Sequence, residues 1–197
     1  ASPEVSSINS TLQKTLKDIN NWCNSNNMVP NPSKTECMLV ATRQKQQLHP
    51  DPLQLTLNSQ PIIQVNEHRH LGVILDAKLD WRAHIEEVSK TLCSNLYLMS
   101  KVRHFTEPST LKLFYHAYIQ PHLDYASTIW DGCAYVHFNK LDRLHRRAIK
   151  LISDDPTLTT DEKILSLDML PLKQALVVNK GVLMWKIVGS KVPKYLC

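Results

Sequence analysis

Two prolines close the first helical pattern of this sequence and limit how the chain can continue. Ahead of them, apolar residues recur at helical spacing at Val5, Ile8, Leu12, Leu16, Ile19 and Cys23, with Trp22 alongside. Pro30 and Pro32 cannot continue a helix, because proline lacks the backbone donor and clashes with the preceding turn. The pattern therefore predicts a helix that ends near Asn26 or Asn27.

The next residues have the patterns of short strands. An apolar run from Cys37 to Thr42 predicts a buried strand, and the bend before it carries Lys34. Residues 43–52 are polar and contain two prolines, which predicts a loop. Alternating residues then predict a hairpin, with Leu53, Leu55 and Leu57 on one side, a turn over 58–61, and the run Ile62 to Val65 on the other.

A further strand is predicted around Gly72, where Leu71, Val73 and Leu75 alternate with other residues. A glycine inside a strand weakens it, unless a bulge forms there or another backbone must come close. The residues alone favour the ordinary bulge, and close approach of a backbone is the functional alternative.

Beyond Asp76 the pattern becomes helical. Asp80 is placed to cap a helix that opens at Trp81. That helix carries the stripe Ile85, Val88, Leu92, Leu96, Met99 and Val102. Further helices are predicted from Pro108 to a stop or kink at Pro121, over 138–152, after the capping box Thr159 to Glu162, and from Pro171 to Gly189 with Leu172, Leu176, Leu183, Met184 and Ile187 on one side. We therefore expect an α+β fold, with a small antiparallel sheet and a packed helix over 1–78, and a helical bundle over 79–197.

The helix over 138–152 has two distinct faces. Its apolar stripe is Leu141, Leu144, Ala148, Leu151 and Ile152, and its cations are Lys140, Arg143, Arg146, Arg147 and Lys150. Asp142 is the one acid on this helix. Two interpretations stay open: a solvated helix face, or a surface that contacts phosphate groups through cations spaced along a rigid rod.

The composition sets broad limits on the class of protein. There are 23 basic and 18 acidic residues, so the net charge of +5 permits a polyanionic partner without requiring one. No run approaches eighteen apolar residues and the start is not a signal peptide, so we expect no membrane partner and an intracellular location, nucleus or cytoplasm, without secretion.

The cysteines and histidines do not have the spacing of a metal site. The five cysteines are Cys23, Cys37, Cys93, Cys133 and Cys197. Their odd number and wide spacing predict reduced, mostly buried thiols. Neither C-x-x-C nor H-x-x-x-H occurs. His68 and His70 would share a face of a strand, but they lack further ligands nearby in the sequence.

Two motifs resemble a known family. The run W-C-N-x-N-x-M-x-x-N-x-x-K-T-E-x-M, from Trp22 to Met38, resembles motif D of the reverse transcriptases of non-LTR (LINE-type) retrotransposons. The run His70 to Asp76, followed by Trp81 and His84-Ile85, is similar to the primer grip of the same family. Downstream agreement continues at 118–130, 144–152, Leu170-Pro171-Leu172 and Pro193-x-Tyr195-Leu196.

The resemblance implies an RNA-directed DNA polymerase. It implies that 1–78 is the C-terminal part of the palm and that 79–197 is the thumb with a C-terminal extension. Lys34 would lie near the phosphates of the incoming nucleotide and protonate the leaving pyrophosphate; without the resemblance it is an exposed loop lysine. The primer grip would consist of His70, Leu71, Gly72 and Val73, where the strand at Gly72 approaches the primer end. Arg69-His70 departs from the family, which has an aromatic or lysine-aromatic pair there.

The metal ligands of this family are not expected in this sequence. Nucleotidyl transfer uses Mg²⁺ ions held by aspartates, which in the family come from an early palm strand and from an aromatic-Ala-Asp-Asp hairpin before the opening helix. Neither motif occurs here. Asp154-Asp155 is an adjacent pair, but Pro156 follows it and no flanking strands are predicted, so it is a poor metal site. We therefore expect no cofactor in this chain and no activity from it alone.

Three hypotheses follow from these observations. The first is a partial polymerase whose partners are an RNA template, an RNA–DNA or DNA duplex, and the upstream palm and fingers of the parent enzyme. The second is a non-catalytic nucleic-acid-binding module that uses the helix with Arg143 to Lys150. The third is a helical interaction protein whose basic face only solvates it.

Overall fold

The structure is a computed structural model that describes residues 5–48 and 52–193, and it has the predicted α+β class. The elements in chain order are α1 (Val5–Ser25), β1 (Glu36–Cys37), α2 (Arg43–Leu48), β2 (Thr56–Leu57), β3 (Gln60–Pro61), β4 (Ile63–Gln64), β5 (Glu67–His70), β6 (Val73–Asp76), α3 (Arg82–Val102), α4 (Pro108–Tyr118), α5 (Gln120–Asp124), α6 (Ser127–Trp130), α7 (Tyr135–Ile152), α8 (Thr160–Ser166) and α9 (Leu172–Val188). Two compact units divide between Leu79 and Asp80, and we call them the N-terminal unit and the helical unit. Their assignment to a palm and a thumb stays a prediction.

The helix α1 covers the core of the N-terminal unit. It ends at Ser25, close to the predicted position, and Asn27 beyond it is left-handed, with φ 56°. The buried core consists of Leu53, Leu55, Leu57 and Ile62, against which Ile8, Leu16, Cys37 and Leu39 pack. The alternation in the sequence thus places three leucines on one face, which α1 covers.

The predicted strand from Cys37 to Thr42 is wrong in length. Only Glu36–Cys37 is a strand, and it pairs with β4 in parallel. Beyond it the backbone leaves this ladder, because the Ala41 N–H donates to the carbonyl of Ala77, 3.1 Å away. Residues 43–52 were predicted to form a loop, but Arg43–Leu48 form α2. The Arg, Gln, Lys and Leu residues of this segment are good helix formers. His49, Pro50 and Asp51 of that loop lie outside the described residues.

The predicted hairpin after Leu53 is present as β2 and β3, which are antiparallel. Its turn residues Asn58 and Ser59 have φ angles of 51° and 62°, as a tight hairpin turn requires. Instead of one small antiparallel sheet, the strands form three separate two-stranded pairs in the described residues, and the β1–β4 pair is parallel.

The prediction that Gly72 lies inside a strand is wrong. Leu71 and Gly72 form the turn of an antiparallel hairpin in which His70 pairs with Val73. Their φ angles are 47° and 83°, and glycine adopts such values without a steric penalty. The prediction treated Leu71 and Val73 as residues on one face of a single strand. Leu71 instead lies in the turn and is 77% exposed. Gly72 therefore lies in a turn that reverses the chain and not in a bulge.

The helical unit is built on α3, which packs more extensively against α7 than against any other helix. Ile85, Leu92, Leu96 and Met99 of the predicted stripe are completely buried, whereas Val88 is half-buried and Val102 is exposed. The helix begins at Arg82, one residue later than predicted, because Trp81 is left-handed with φ 65°. The Asp80 carboxylate accepts a hydrogen bond from the Arg82 N–H, at 2.9 Å.

The other predicted helices are present. α4 begins at Pro108, α7 begins at Tyr135 rather than at Phe138, and α9 ends at Val188 with Gly189 as its C-cap. Thr159 and Glu162 form both hydrogen bonds of the predicted capping box at α8. In α9 only Leu172 and Leu176 are buried, so the apolar stripe predicted to extend to Ile187 does not pack along its full length.

The expectation of mostly buried thiols is wrong for the described cysteines. Cys23, Cys37 and Cys133 are half-buried and Cys93 is exposed, and all four are free. Burial raises the pKa of the Cys37 and Cys133 thiols.

His145 is a buried titratable group at the centre of the helical unit. It is 2% exposed, and its Nδ1 atom lies 2.9 Å from the Tyr115 hydroxyl. Burial lowers the pKa of the imidazole below its usual value of 6.5, and the neighbouring Arg146 acts in the same direction, while Asp142 and the Leu170 backbone oppose it. The folded state therefore prefers the neutral ring, and the unfolded state binds the proton more readily.

We expect the free energy of unfolding to fall as the pH is lowered through about 6.5, by up to ~1.4 kcal/mol per pH unit, until the folded-state pKa is reached. The measurement is urea unfolding at several pH values between 7.5 and 5. His145→Gln should have a flatter pH dependence than the wild type because its amide does not titrate. His104→Gln, at an exposed position, is the control. Equal pH dependence in the wild type and His145→Gln would contradict this role for His145.

Candidate nucleic-acid interface

The solvent side of α7 carries an aligned row of cations. Lys140, Arg143, Arg147 and Lys150 are all exposed. At about 100° per residue they lie within an arc of about 80° and span about 15 Å along the helix axis. We call these four residues the α7 basic stripe. Among the described residues none of the four has an ion-pair partner. The hydrogen bond to Arg82 is the main cause that lowers the pKa of the Glu86 carboxyl, and Lys140 is close enough to contribute.

Arg146 was predicted as a fifth cation of this surface, but its side chain forms ion pairs with two aspartates instead. Its guanidinium lies 2.9 Å from Asp142 and 2.9 Å from Asp161, which belongs to α8. The hydrogen bond to Asp142 raises the pKa of Arg146. Arg146 therefore links α7 to α8, whereas the stripe is open to solvent.

On the buried side of α7, two of the five predicted residues are replaced by two others. Leu141, Ala148 and Ile152 are buried as predicted, together with His145 and Ile149. Leu144 and Leu151 are half-buried. The prediction left out His145 and Ile149, although they lie one turn apart on the same helical face. It used Leu144 and Leu151 for the apolar stripe instead.

Lys34 lies in a turn that its neighbours fix locally. The Asn31 side chain accepts a hydrogen bond from the Ser33 N–H at 3.0 Å, and Pro32 opens a single helical turn that ends at Lys34. Lys34 is exposed, as an ordinary loop lysine would be. It lines a cavity of about 400 Å³ together with Glu36 and His68.

A side-chain contact joins the first motif to the strand that leads into the second motif. The Nδ1 atom of His68 lies 2.9 Å from the Oε2 atom of Glu36. Glu36 follows Lys34 by two residues, and His68 lies on the strand that leads to Gly72. The rings of His68 and His70 are neighbours, with centroids 6.5 Å apart. The structure thus places the Lys34 turn next to the hairpin that carries His70, Leu71, Gly72 and Val73.

The described residues do not provide a carboxylate site for Mg²⁺. No group of three or more histidine, cysteine or acidic side chains with metal-binding geometry occurs among them. Asp154 pairs with Arg103 at 2.6 Å. Asp155 accepts hydrogen bonds from the backbone and hydroxyl of Thr157, which lower the pKa of its carboxyl. These two aspartates are therefore engaged in turn and ion-pair contacts.

Comparison with known proteins reveals two relatives. The RNA-directed DNA polymerase from mobile element jockey of Drosophila funebris is 26% identical over 106 residues, which are 52% of this chain and 12% of that protein. The probable RNA-directed DNA polymerase from transposon BS of Drosophila melanogaster is 24% identical over 151 residues, 74% of this chain and 16% of that protein. The chain is similar to the RNA-directed DNA polymerases of these two mobile elements. The matched stretches span only 12% and 16% of the length of these polymerases.

The relationship rests on the sequences. No family model and no solved structure matches the chain. The resemblance inferred from the Lys34 and Gly72 motifs is confirmed by the polymerase relatives, while the roles of individual residues stay predictions. In the described part of the chain, every helix is too short or too polar to cross a membrane.

The turn at Gly72 offers a direct test of the hairpin. Gly72→Ala should weaken the β5–β6 pair by about 1 kcal/mol, because the φ of 83° is unfavourable for a residue with a Cβ atom. Amide hydrogen exchange of His70 and Val73 would report this local loss, because the pair that flanks a two-residue turn exchanges both backbone hydrogen bonds.

Gly132→Ala is the matched control for this test. A Cβ atom added at Gly132 would meet no atom within 4 Å, so its effect should stay within about 0.5 kcal/mol. Unchanged exchange in Gly72→Ala would mean that the turn is not built as described.

Proposed function

We propose that this chain supplies a nucleic-acid-contacting part of an RNA-directed DNA polymerase of a non-LTR mobile element. The observation that carries the proposal is the α7 basic stripe, whose four exposed cations lie on the side of the helix opposite its buried residues. The relationship to two polymerases of mobile elements adds support from the sequence.

The stripe is suited to the phosphate backbone of a duplex. Lysine and arginine side chains on a rigid helix neutralise phosphates without reading bases, so they would hold a template–primer duplex of any sequence. The proposed ligands are an RNA template with its RNA–DNA hybrid, or a DNA duplex. Arg143 and Arg147 can also contact phosphate oxygens through two N–H groups at once.

The N-terminal unit would contribute contacts near the reacting end. Lys34, exposed beside the 400 Å³ cavity, is proposed to approach the phosphates of the incoming nucleotide, where an ammonium group can give a proton to the leaving pyrophosphate. The hairpin tip at His70, Leu71, Gly72 and Val73 is proposed to contact the primer end. Leu71 is exposed there and could pack on a sugar or base.

Metal chemistry is proposed to come from other parts of such a polymerase. Nucleotidyl transfer in this family uses Mg²⁺, which neutralises the attacking and leaving oxygens. The described residues do not fit this ion, because their aspartates form no cluster. We therefore propose that the upstream palm and fingers of a parent enzyme complete the catalytic site, and that this chain alone has no polymerase activity.

A helical interaction module is the second candidate. The helix α9 exposes Val178, Val182, Trp185 and Val188, which is unusual for a helix that faces only water. Under this hypothesis α9 packs against the rest of a parent polymerase and the basic stripe only solvates α7. The two candidates differ in whether the stripe affects binding to a duplex.

The salt dependence of duplex binding tests the proposal. For the full chain and an RNA–DNA hybrid, Arg143→Ala combined with Arg147→Ala should lower the slope of log K against log[salt] by about 1.8, because each lost phosphate contact contributes about 0.9. The measurement is fluorescence anisotropy between 50 and 300 mM salt, approximate concentrations at which such binding changes steeply.

Lys173→Ala combined with Lys186→Ala is the matched control, because it removes the same charge from α9. If both double variants lower the slope equally, the effect comes from net charge and the stripe is not the interface. Binding that is absent even at low salt would favour the interaction module.

A further inference from the structure

The contact between Glu36 and His68 fixes how the imidazole is presented. Nδ1 of His68 faces the Glu36 carboxylate at 2.9 Å, so this nitrogen carries the proton and donates the hydrogen bond. Nε2, on the other side of the ring, is left available for a ligand. Both side chains are partly open to solvent, with 45% and 40% of their surfaces exposed.

The backbone holds this pair in place. Glu36 lies on β1, which pairs in parallel with β4, and the Val65 N–H donates to the Cys37 carbonyl at 2.9 Å. His68 lies on β5, opposite Leu75 of β6. The pair thus bridges two strand pairs that are each fixed by backbone hydrogen bonds.

The cavity beside this pair has the size of a small-molecule site. Its volume is about 400 Å³, and its polar lining comes from Lys34, Thr35, Glu36 and His68, with Met38 and Val65 among the apolar residues. Pockets for small ligands have volumes of roughly 300–1,000 Å³. Two potential cations thus line one cavity with a single carboxylate.

The side chains that line the cavity differ in what they offer an anion. The Lys34 ammonium donates, the Glu36 carboxylate accepts from Nδ1 of His68, and the imidazolium form of His68 also donates from Nε2. The His70 ring lies beside His68, and Leu75 of β6 lies opposite it.

We propose that Lys34 and His68 together bind a phosphate group, with Glu36 as the positioning residue that orients the imidazole. The inference rests on the proposed function, since a polymerase site would bring nucleotide or pyrophosphate groups to Lys34, and it adds His68 as a second phosphate ligand. The chemistry recognised is the phosphate oxyanion, whether it belongs to a free pyrophosphate or nucleotide or to a nucleic-acid backbone.

The experiment measures binding of inorganic pyrophosphate to the full chain, by calorimetry and by the chemical shifts of the Lys34 and His68 side chains. His68→Gln should weaken binding about tenfold, because a hydrogen bond to a charged group is lost. Lys34→Gln should weaken binding as well.

Two further variants make the result specific. His68→Arg keeps a cation beside Glu36, so it should bind at least as tightly as the wild type. His104→Gln is the matched control, since it removes an exposed imidazole that is not among the residues that line the cavity. A loss in His104→Gln equal to that in His68→Gln would overturn the proposal, as would unchanged binding in His68→Gln.

Parallel measurements separate the possible sources of the phosphate and the two proposals. A second series uses a short single-stranded oligonucleotide in place of pyrophosphate. If His68→Gln weakens binding of the oligonucleotide but not of pyrophosphate, the contact is assigned to a nucleic-acid backbone. The double variant at Arg143 and Arg147 should leave pyrophosphate binding unchanged. If duplex binding depends on the α7 basic stripe but neither phosphate ligand depends on His68, this inference fails while the proposed function stands.

Discussion

The helical unit depends on the apolar contact between α3 and α7. Complete burial of Ile85, Leu92, Leu96 and Met99 on α3 requires α7 to present Leu141 and Ile149 on its inner side. Each such side chain stabilises the fold by roughly 1.5–3 kcal/mol. A helix has a fixed rotation per residue, so this packing also decides where positions 140, 143, 147 and 150 point. The alignment of the four cations is thus a geometric consequence of the core.

The N-terminal unit is held together in another way. Its strands are only two to four residues long, and much of its order comes from turns, from side chains that bond to backbone, and from the four-residue leucine and isoleucine core. The Lys34 turn is defined within five residues by Asn31 and Pro32, which makes its shape a local property. Its connection to the β5–β6 hairpin depends on Glu36 and His68, which are 32 residues apart in the sequence.

The sequence was sufficient to predict features that depend on local periodicity or local hydrogen bonds. The end of α1, the capping box at Thr159 and the buried stripe of α3 are of this kind. Gly72 was misplaced because alternation cannot distinguish a strand that contains a glycine from two strands that turn at it. Arg43–Leu48 became a helix although its polar character suggested a loop, since propensity acts there without an apolar stripe.

The candidate site shows the same division between local and distant causes. The cations of α7 were evident from their spacing, but the separation of Arg146 from the others required knowledge of Asp161, which lies on another helix. The burial of His145 and its contact with Tyr115, thirty residues earlier, likewise depend on tertiary packing. The contact of Glu36 with His68 had no signal in the sequence, because neither residue type nor spacing announces such a pair.

One detail of α1 has a consequence for solubility. The Gln13 amide donates to the Thr56 carbonyl and accepts from the Thr56 N–H, both at 2.9 Å, while Asn9 accepts from the Gln54 N–H at 3.2 Å. These side chains occupy the free edge of β2 in the way that a neighbouring strand would. An open strand edge invites pairing with a foreign chain and hence aggregation. By closing that edge with amide groups, the helix protects a very small sheet from growing into an intermolecular one.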